Sequence, residues 1–400
     1  MKSNFWSIWL CYIPNLFRAK GNHLITANCP LYYCFGTVSY HYKKPMKLCI
    51  SLRDQDFDHT KSIGIFNVSI GLTYALVNNA NIEKLIVLAN RSLADQLGAL
   101  KDHPNVEVIG INEPTPRGLS RILWDQWGIR HAVKKHKVDW LILPKGFVPL
   151  LLRFDTKVCS YIHDNIFKFY ADMGWDKSAL FEKYYFKWSY KKSVQCADLV
   201  VTNSQFTMDQ VLSSGRKLPT SRVGIGFEPI DKSVIITEAR SGLLIFISAH
   251  PHKLSEQAIQ WLSRWKLETG NPIKIFCVGR MPVEIECSEG QGWEVMSRLS
   301  QSEMNSLWGK VKIMVYFSAY EGFGMPPCEA VRNGVIPVVS DIPPHRENIP
   351  AEFLFSNKHY ESFASCLNHA LETNQPPFVE LDDWDAVGNL VVTELLANSE

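Results

Sequence analysis

A chain of 400 residues is long enough for two domains of ordinary size, each with a sizeable core. At 46% hydrophobic and 20% charged, with no low-complexity tract, it has the composition of a soluble globular protein. Its net charge of +2 conceals an asymmetry: +5 over residues 1–45, +6 over 46–232 and −9 over 233–400, so the two halves are expected to face different partners.

The first 45 residues differ from the rest. FWSIWLCYIPNLF (5–17) is apolar and aromatic, but it is only 13 residues long and Pro14 interrupts it, which is too short for a membrane span. No small-residue cleavage site follows cleanly, so a removed leader is poorly supported. Met46-Lys47 then leads straight into a strand. Met46 is therefore expected to be the native start and 1–45 an upstream extension; a membrane-docking anchor is the competing idea. The ten cysteines form no C-x-x-C pair and no Cys/His cluster at zinc spacing, as suits buried reduced thiols.

From residue 47 apolar runs of strand length alternate with helical periodicity. Strands are expected at 47–52, 84–89, 106–111, 138–144, 157–164 and 198–204. Helices are expected near 62–79, 93–100, 119–137, 178–196 and 205–213. Such alternation means a parallel sheet with helices on both faces. Two basic stretches, RHAVKKHK (130–137) and KWSYKK (187–192), could meet anionic lipid or a pyrophosphate-bearing acceptor, or simply be solvated helix faces. Residues 228–242 break the rhythm as a linker, with G-I-G-F-E-P (224–229) a turn before it. A second unit restarts at 243–249. It continues with a helix at 254–269, strand 273–279, a helix at 302–309 and strand 312–318, and the chain ends in an amphipathic helix over 382–396. The expected domains are thus 46–232 and 243–380, with 381–400 a terminal helix. No G-x-x-x-x-G-K-[ST] occurs, which excludes a P-loop NTPase on motif.

The most informative stretch is SAYEGFGMPPCEAVRNGVIPVVSDIPPHRE (318–347). Strand, Gly-flexed loop, helix and strand follow in order. Pro326 and Pro327 mark the helix start, Glu329 is expected in its first turn, and Gly334 stops it. This geometry binds phosphate at the helix N-terminus. Ionised Glu accepts only, so Glu321 and Glu329 suit hydroxyls at the two ends of one ligand with a diphosphate between. A nucleoside diphosphate sugar fits. The same spacing also fits an exposed loop acid and an ordinary helix-start glutamate. Lys253, after strand 243–249, offers a point charge to a diphosphate. His163 ends strand 157–164, where neutral imidazole could donate to a sugar hydroxyl; a core histidine is the alternative. Gly64 and Ile65 stand at the first loop-to-helix junction.

E-G-F-G-M-P-P-C-E-A followed by G-V-I-P-V-V-S resembles the signature of the family four retaining glycosyltransferases. The resemblance implies an α/β fold of GT-B architecture, two Rossmann-like domains facing across a cleft, with the last helix packing back on the first domain from Trp384. It extends from about residue 47 to 396. It places Glu321 by the donor sugar and Glu329 on the ribose, with Gly322, Phe323 and Gly324 lining the donor. It also places Lys253 on the leaving diphosphate, His163 by the transferred sugar, and Gly64 and Ile65 by the acceptor. Gly279 and Arg280 lie where nucleobase contacts begin. The family carries an arginine beside the lysine; here His250 and His252 occupy that loop, and Ser62 stands where a first glycine is common. The implied function is transfer of a hexose, with mannose a common choice in the family, from a nucleoside diphosphate sugar to a glycan or lipid-linked acceptor in surface polysaccharide or glycolipid synthesis. No cofactor and no obligatory metal are implied, with Asp54 and Asp56 the only weak metal candidates. The expected setting is cytoplasmic, at the inner membrane face, with peripheral contact to anionic lipid and no nucleic-acid partner. A GT-B epimerase and a non-catalytic sugar-nucleotide scaffold are the rival readings.

Overall fold

A computed structural model describes residues 44–53, 55, 63–111, 128–149, 154–175, 180–228, 240–279, 292–297 and 299–399. The extension before residue 44, Asp54, Asp56, Ser62 and Arg280 lie outside the described residues.

Two parallel sheets organise the chain. The first contains β1 (Met46–Ser51), β2 (Ile82–Asn90), β3 (Val106–Ile111), β4 (Trp140–Leu143), β5 (Lys157–Ile162), β6 (Leu199–Thr202) and β7 (Thr220–Arg222), in the order β3-β2-β1-β4-β5-β6-β7. The second contains β8 (Gly242–Ile247), β9 (Ile275–Gly279), β10 (Trp293–Met296), β11 (Val311–Tyr316), β12 (Ile336–Ser340) and β13 (Leu354–Phe355), in the order β10-β9-β8-β11-β12-β13. Every strand pair in both is parallel. In each sheet the order reverses once, between β1 and β4 and between β8 and β11. Ligands of open α/β sheets collect at such a point, outside the carboxyl ends of the strands.

Alternation along the strands feeds two core layers in the first sheet. Leu48 and Ile50 face helix Ile63–Val77, whereas Cys49 faces the layer of helices Ile129–His136 and Leu180–Cys196. The second sheet has one large core, built on Leu243–Ile245, Ile313–Val315 and the helices Ser255–Thr269 and Tyr360–Glu372. Two expected helices differ in detail. The run at 93–100 breaks into Arg91–Gln96 and Gly98–Lys101, because Leu97 leaves helical geometry and Gly98 follows it. Of the long helix at 119–137, Ile129–His136 is helical and 112–127 lie outside the described residues. Strands β7, β10 and β13, and helices Ile166–Asp172, Pro343–Asn348 and Tyr360–Glu372, have no counterpart in the sequence reading.

The last helix, Trp384–Ala397, belongs to the first sheet's core: Val391, Val392 and Leu395 are fully buried there. Trp384 sits against Gly71 and Gly226, where a Cβ would come within 2.1 Å and 2.6 Å of it. G-I-G-F is therefore a turn that makes room for a tryptophan. Phe227 pairs with Asp383 beside it, and its amide donates to the Asp382 carbonyl at 2.9 Å. Among the described residues, no helix is long and apolar enough to cross a membrane.

Candidate active site

The loops after β8 and β11 flank the switch point of the second sheet, and they carry opposite charges. β8 ends at Ile247, and a short 3-10 turn, Pro251–Lys253, leads into helix Ser255–Thr269. Lys253 Nζ lies 2.6 Å from Glu321 Oε1 and 2.6 Å from Tyr316 Oη, and the Tyr316 hydroxyl donates to Glu321 Oε1 at 3.0 Å. Both charged side chains are largely withdrawn from water, at 22% and 14% exposed. Burial opposes the Glu321 charge, but Lys253, helped by His345, outweighs it and holds the carboxyl at about 2. Burial opposes the Lys253 charge as well, and Glu321 and Tyr316 more than offset it, so the ammonium is held charged. The backbone fixes both loops: Ala319 N–H donates to His252 C=O at 2.7 Å, and Ser318 N–H to Ser340 Oγ at 2.8 Å.

The helix after Glu321 runs Met325–Arg332 and begins at Gly324, whose φ of 91° lies in the left-handed region. It therefore starts one residue ahead of the prolines. Glu329 is its fifth residue, beyond the first turn where the sequence placed it. Pro326 and Pro327 lack N–H groups, so only Gly324 and Met325 can donate at this end. Lys253 carries correspondingly more of any anion's charge. Glu329 is half-buried, burial raises its carboxyl above the usual range, and its backbone carbonyl accepts from Asn333, but among the described residues no hydrogen bond or ion pair engages its carboxylate. It is an open acceptor. His345 is buried against Gly324, with Nδ1 2.7 Å from the Ser340 carbonyl; the sequence reading missed it.

The first lobe meets this loop directly. A Cβ on Gly322 would lie 1.9 Å from the His163 carbonyl oxygen, so only glycine permits the approach. Ser204, the N-cap of helix Gln205–Ser213, donates through Oγ to the Gly322 carbonyl at 2.5 Å. Asn203 Nδ2 donates to the His163 carbonyl at 2.9 Å. Tyr320 accepts from the Asn165 N–H at 2.8 Å, donates to Gln210 at 2.9 Å and stacks on Phe169. Glu347 of the second lobe caps helix Gln205–Ser213, accepting from Gln205 N–H and Phe206 N–H at 2.8 Å and 2.7 Å.

His163 is 8% exposed, and its ring stacks on Tyr161. Burial lowers its pKa to about 4, so it is neutral at physiological pH. Its Nε2 lies 2.5 Å from the Pro144 carbonyl, which can only accept. The one ring proton is spent there, and Nδ1 is left an acceptor. The donor role expected from the sequence is thus closed to it. His252 is also held neutral, at about 4, by burial and Lys253, and it bonds Tyr170 Oη across the lobes at 2.5 Å. Lys253 is left as the fixed positive charge of its loop.

Other expected site residues are placed differently. Gly64, in the first turn of helix Ile63–Val77, lies against the Met325 side chain, with a Cβ contact of 3.7 Å to Sδ, and Ile65 is half-buried beside it. Phe323 is 8% exposed and packs in the first sheet's core, 6.1 Å from the Phe227 ring; it docks the lobes and has little face for a ligand. Gly279 packs on the end of β8, where a Cβ would lie 2.0 Å from the Ile247 carbonyl. Among the described residues, no group of three or more His, Cys, Asp or Glu could hold a metal ion.

Residues 85–225 match the model of Glycosyltransferase Family 4, and residues 285–380 match that of the Glycosyl transferases group 1. The chain belongs to the family 4-like glycosyltransferases. It is 24% identical over 304 residues to the O-antigen chain mannosyltransferase RfbU of Salmonella typhimurium, covering 74% of this chain and 83% of that one. Its fold is similar to the lipopolysaccharide outer core galactosyltransferase WaaB in its apo form (TM-score 0.56, 14% identity, 88% of this chain and 98% of that one). It is also similar to the catalytic domain of starch synthase IV from Arabidopsis thaliana bound to ADP and acarbose (TM-score 0.59, 11% identity, 89% and 99%). The fold is GT-B, two Rossmann-like domains across a cleft, and this glycosyltransferase carries the Lys253–Glu321 pair at the switch point of the second.

A group whose pKa is depressed on folding stabilises above its unfolded pKa. Glu321 therefore adds stability above the unfolded carboxyl value of about 4.3, and loses it as pH falls toward about 2. Lys253→Met is expected to destabilise by about 2–4 kcal/mol near neutrality, because it strands a largely buried charge. It is also expected to flatten the loss of stability between pH 5 and 2. Urea denaturation at stepped pH reads both effects.

Proposed function

We propose that this glycosyltransferase is a retaining hexosyltransferase. It moves a hexose, mannose in the first instance, from a nucleoside diphosphate sugar to a glycan or lipid-linked acceptor of a surface polysaccharide or glycolipid. The observation that carries the reading is the Lys253–Glu321 pair at the switch point, beside a helix N-terminus and against the His163 backbone. The relative named an O-antigen chain mannosyltransferase supports both the sugar and the product class.

The difficult step is departure of the nucleotide as positive charge builds on the sugar ring. Lys253 and the Gly324–Met325 end of the helix stabilise the leaving diphosphate, often the largest single contribution to such catalysis. Glu321 holds a hydroxyl of the donor sugar, and Glu329 holds the ribose. His163, neutral and with Nδ1 open, accepts from a sugar hydroxyl on the opposite wall. Acceptor attack on the face the nucleotide leaves retains the anomeric configuration. No resident metal is called on, because Lys253 supplies the positive charge. Contact between the lobes excludes water that would hydrolyse the donor.

Glycosyl transfer from labelled GDP- and UDP-sugars to a lipid-extract acceptor tests the reading: labelled product is expected, and no transfer from any donor contradicts it. Glu329→Ala is expected to weaken nucleoside diphosphate binding about tenfold, the loss of a charged hydrogen bond. Glu321→Ala is expected to lower turnover while binding changes little. Titration calorimetry and initial rates separate the two, and the reverse pattern overturns the assignment of ends.

The acceptor side is assigned to a membrane face. On helix Leu180–Cys196, Tyr184 and Trp188 are 50% and 57% exposed and 5.9 Å apart, with Lys187 and Lys191 exposed on the same face. Aromatic rings among lysines suit the headgroup layer of an anionic bilayer at the cytoplasmic side. Flotation with phosphatidylcholine vesicles containing phosphatidylglycerol is expected to carry the protein. Trp188→Ser with Lys191→Glu is expected to abolish that; equal flotation of the variant rejects this face.

A further inference from the structure

Tyr316 is the last residue of β11 and is 3% exposed. In sequence it is one more apolar position of a buried strand. In the fold its hydroxyl stands between the two charges of the site, accepting from Lys253 Nζ at 2.6 Å and donating to Glu321 Oε1 at 3.0 Å. Its ring lies under the same ammonium, 5.1 Å from Nζ. Burial, then Glu321, raises the phenol's pKa above its ordinary value, so it keeps its proton.

The triangle leaves two hydrogen-bonding positions open. An ammonium has three hydrogens. Lys253 gives one to Glu321 and one to Tyr316, which leaves one. Glu321 uses Oε1 for both partners, and no described residue takes Oε2. Each charged group therefore keeps a single vacancy of opposite kind: one N–H on Lys253 and one carboxylate oxygen on Glu321. Tyr316 has both its donor and its acceptor function engaged within the triangle.

We propose that Tyr316 is a positioning residue for glycosyl transfer that acts through Glu321, holding its carboxylate in place to accept from a hydroxyl of the donor's sugar while Lys253 turns to the leaving diphosphate. This deepens the hexosyltransferase reading and rests on it. When a phosphate oxygen draws the ammonium away from Glu321, the Tyr316 hydroxyl keeps Oε1 satisfied, and the carboxylate does not swing after the lysine. The sugar then stays oriented while the bond to the nucleotide breaks. A loosened Glu321 gives a donor that is bound but poorly aligned, with its anomeric carbon more open to water.

Tyr316→Phe removes the hydroxyl and keeps the ring. With the donor that wild type uses, kcat is expected to fall about tenfold with KM for the donor within about threefold, and the ratio of donor hydrolysis to transfer is expected to rise at least threefold. In a Glu321→Ala background the same substitution is expected to change the residual rate by less than twofold, because the group it acts through is gone. Titration of the nucleoside diphosphate into Tyr316→Phe provides a readout apart from turnover, and affinity is expected within about threefold of wild type. An unchanged kcat and hydrolysis ratio overturns the proposal. So does an undiminished effect in the Glu321→Ala background, or a loss confined to KM. If wild type transfers no sugar from any donor, the hexosyltransferase reading fails instead.

Discussion

A lysine and a glutamate brought together out of water, on loops from two strands that part at a switch point, set the terms for the rest of this molecule. Lys253 and Glu321 each pay a desolvation penalty that neither could carry alone. Their contact holds the carboxylate ionised well below the usual range and keeps the ammonium charged. A buried pair of this kind is weak support for stability, since well-packed apolar residues often do as well. It suits a site that must stay charged in a dry cleft until a ligand divides the pair.

The lobes are arranged around that loop. The backbones of His163 and Gly322 touch, Ser204 and Asn203 secure the two carbonyls, and Tyr320 and Glu347 reach into the first lobe from the second. Phe323 enters the first sheet's core, and Trp384 starts the terminal helix that completes it. The signature stretch therefore has two tasks. Its Glu321 pairs with Lys253 across the switch point, while its glycines and phenylalanine hold the lobes in register, which is why so much of it is buried.

Much of this was legible in the sequence. Alternating apolar runs and helical periodicity marked both parallel sheets, the strand-loop-helix pattern at 312–334 singled out Glu321 and Glu329, and the loop after strand 243–249 singled out Lys253, which the fold brings against Glu321. What escaped depends on partners distant in the chain. Tyr316 reads as a strand residue because its hydroxyl matters only when a lysine 63 positions earlier folds beside it. His163 was read as a donor, but the Pro144 carbonyl 19 positions away takes its proton. Phe323 was assigned to the donor because its neighbours were, and Phe227 across the lobes claims it. Glu329 was placed one residue too early in its helix because the prolines, rather than a left-handed glycine, were taken to start it. Strand β13, at two residues, is too short for periodicity to mark.

A crystal structure with a nucleoside diphosphate bound bears most directly on the central claim. The diphosphate is expected within hydrogen-bonding distance of Lys253 Nζ and of the Gly324 or Met325 N–H, with the ribose on Glu329. A nucleotide seated elsewhere, with the Lys253–Glu321 contact closed and unaltered, contradicts the account.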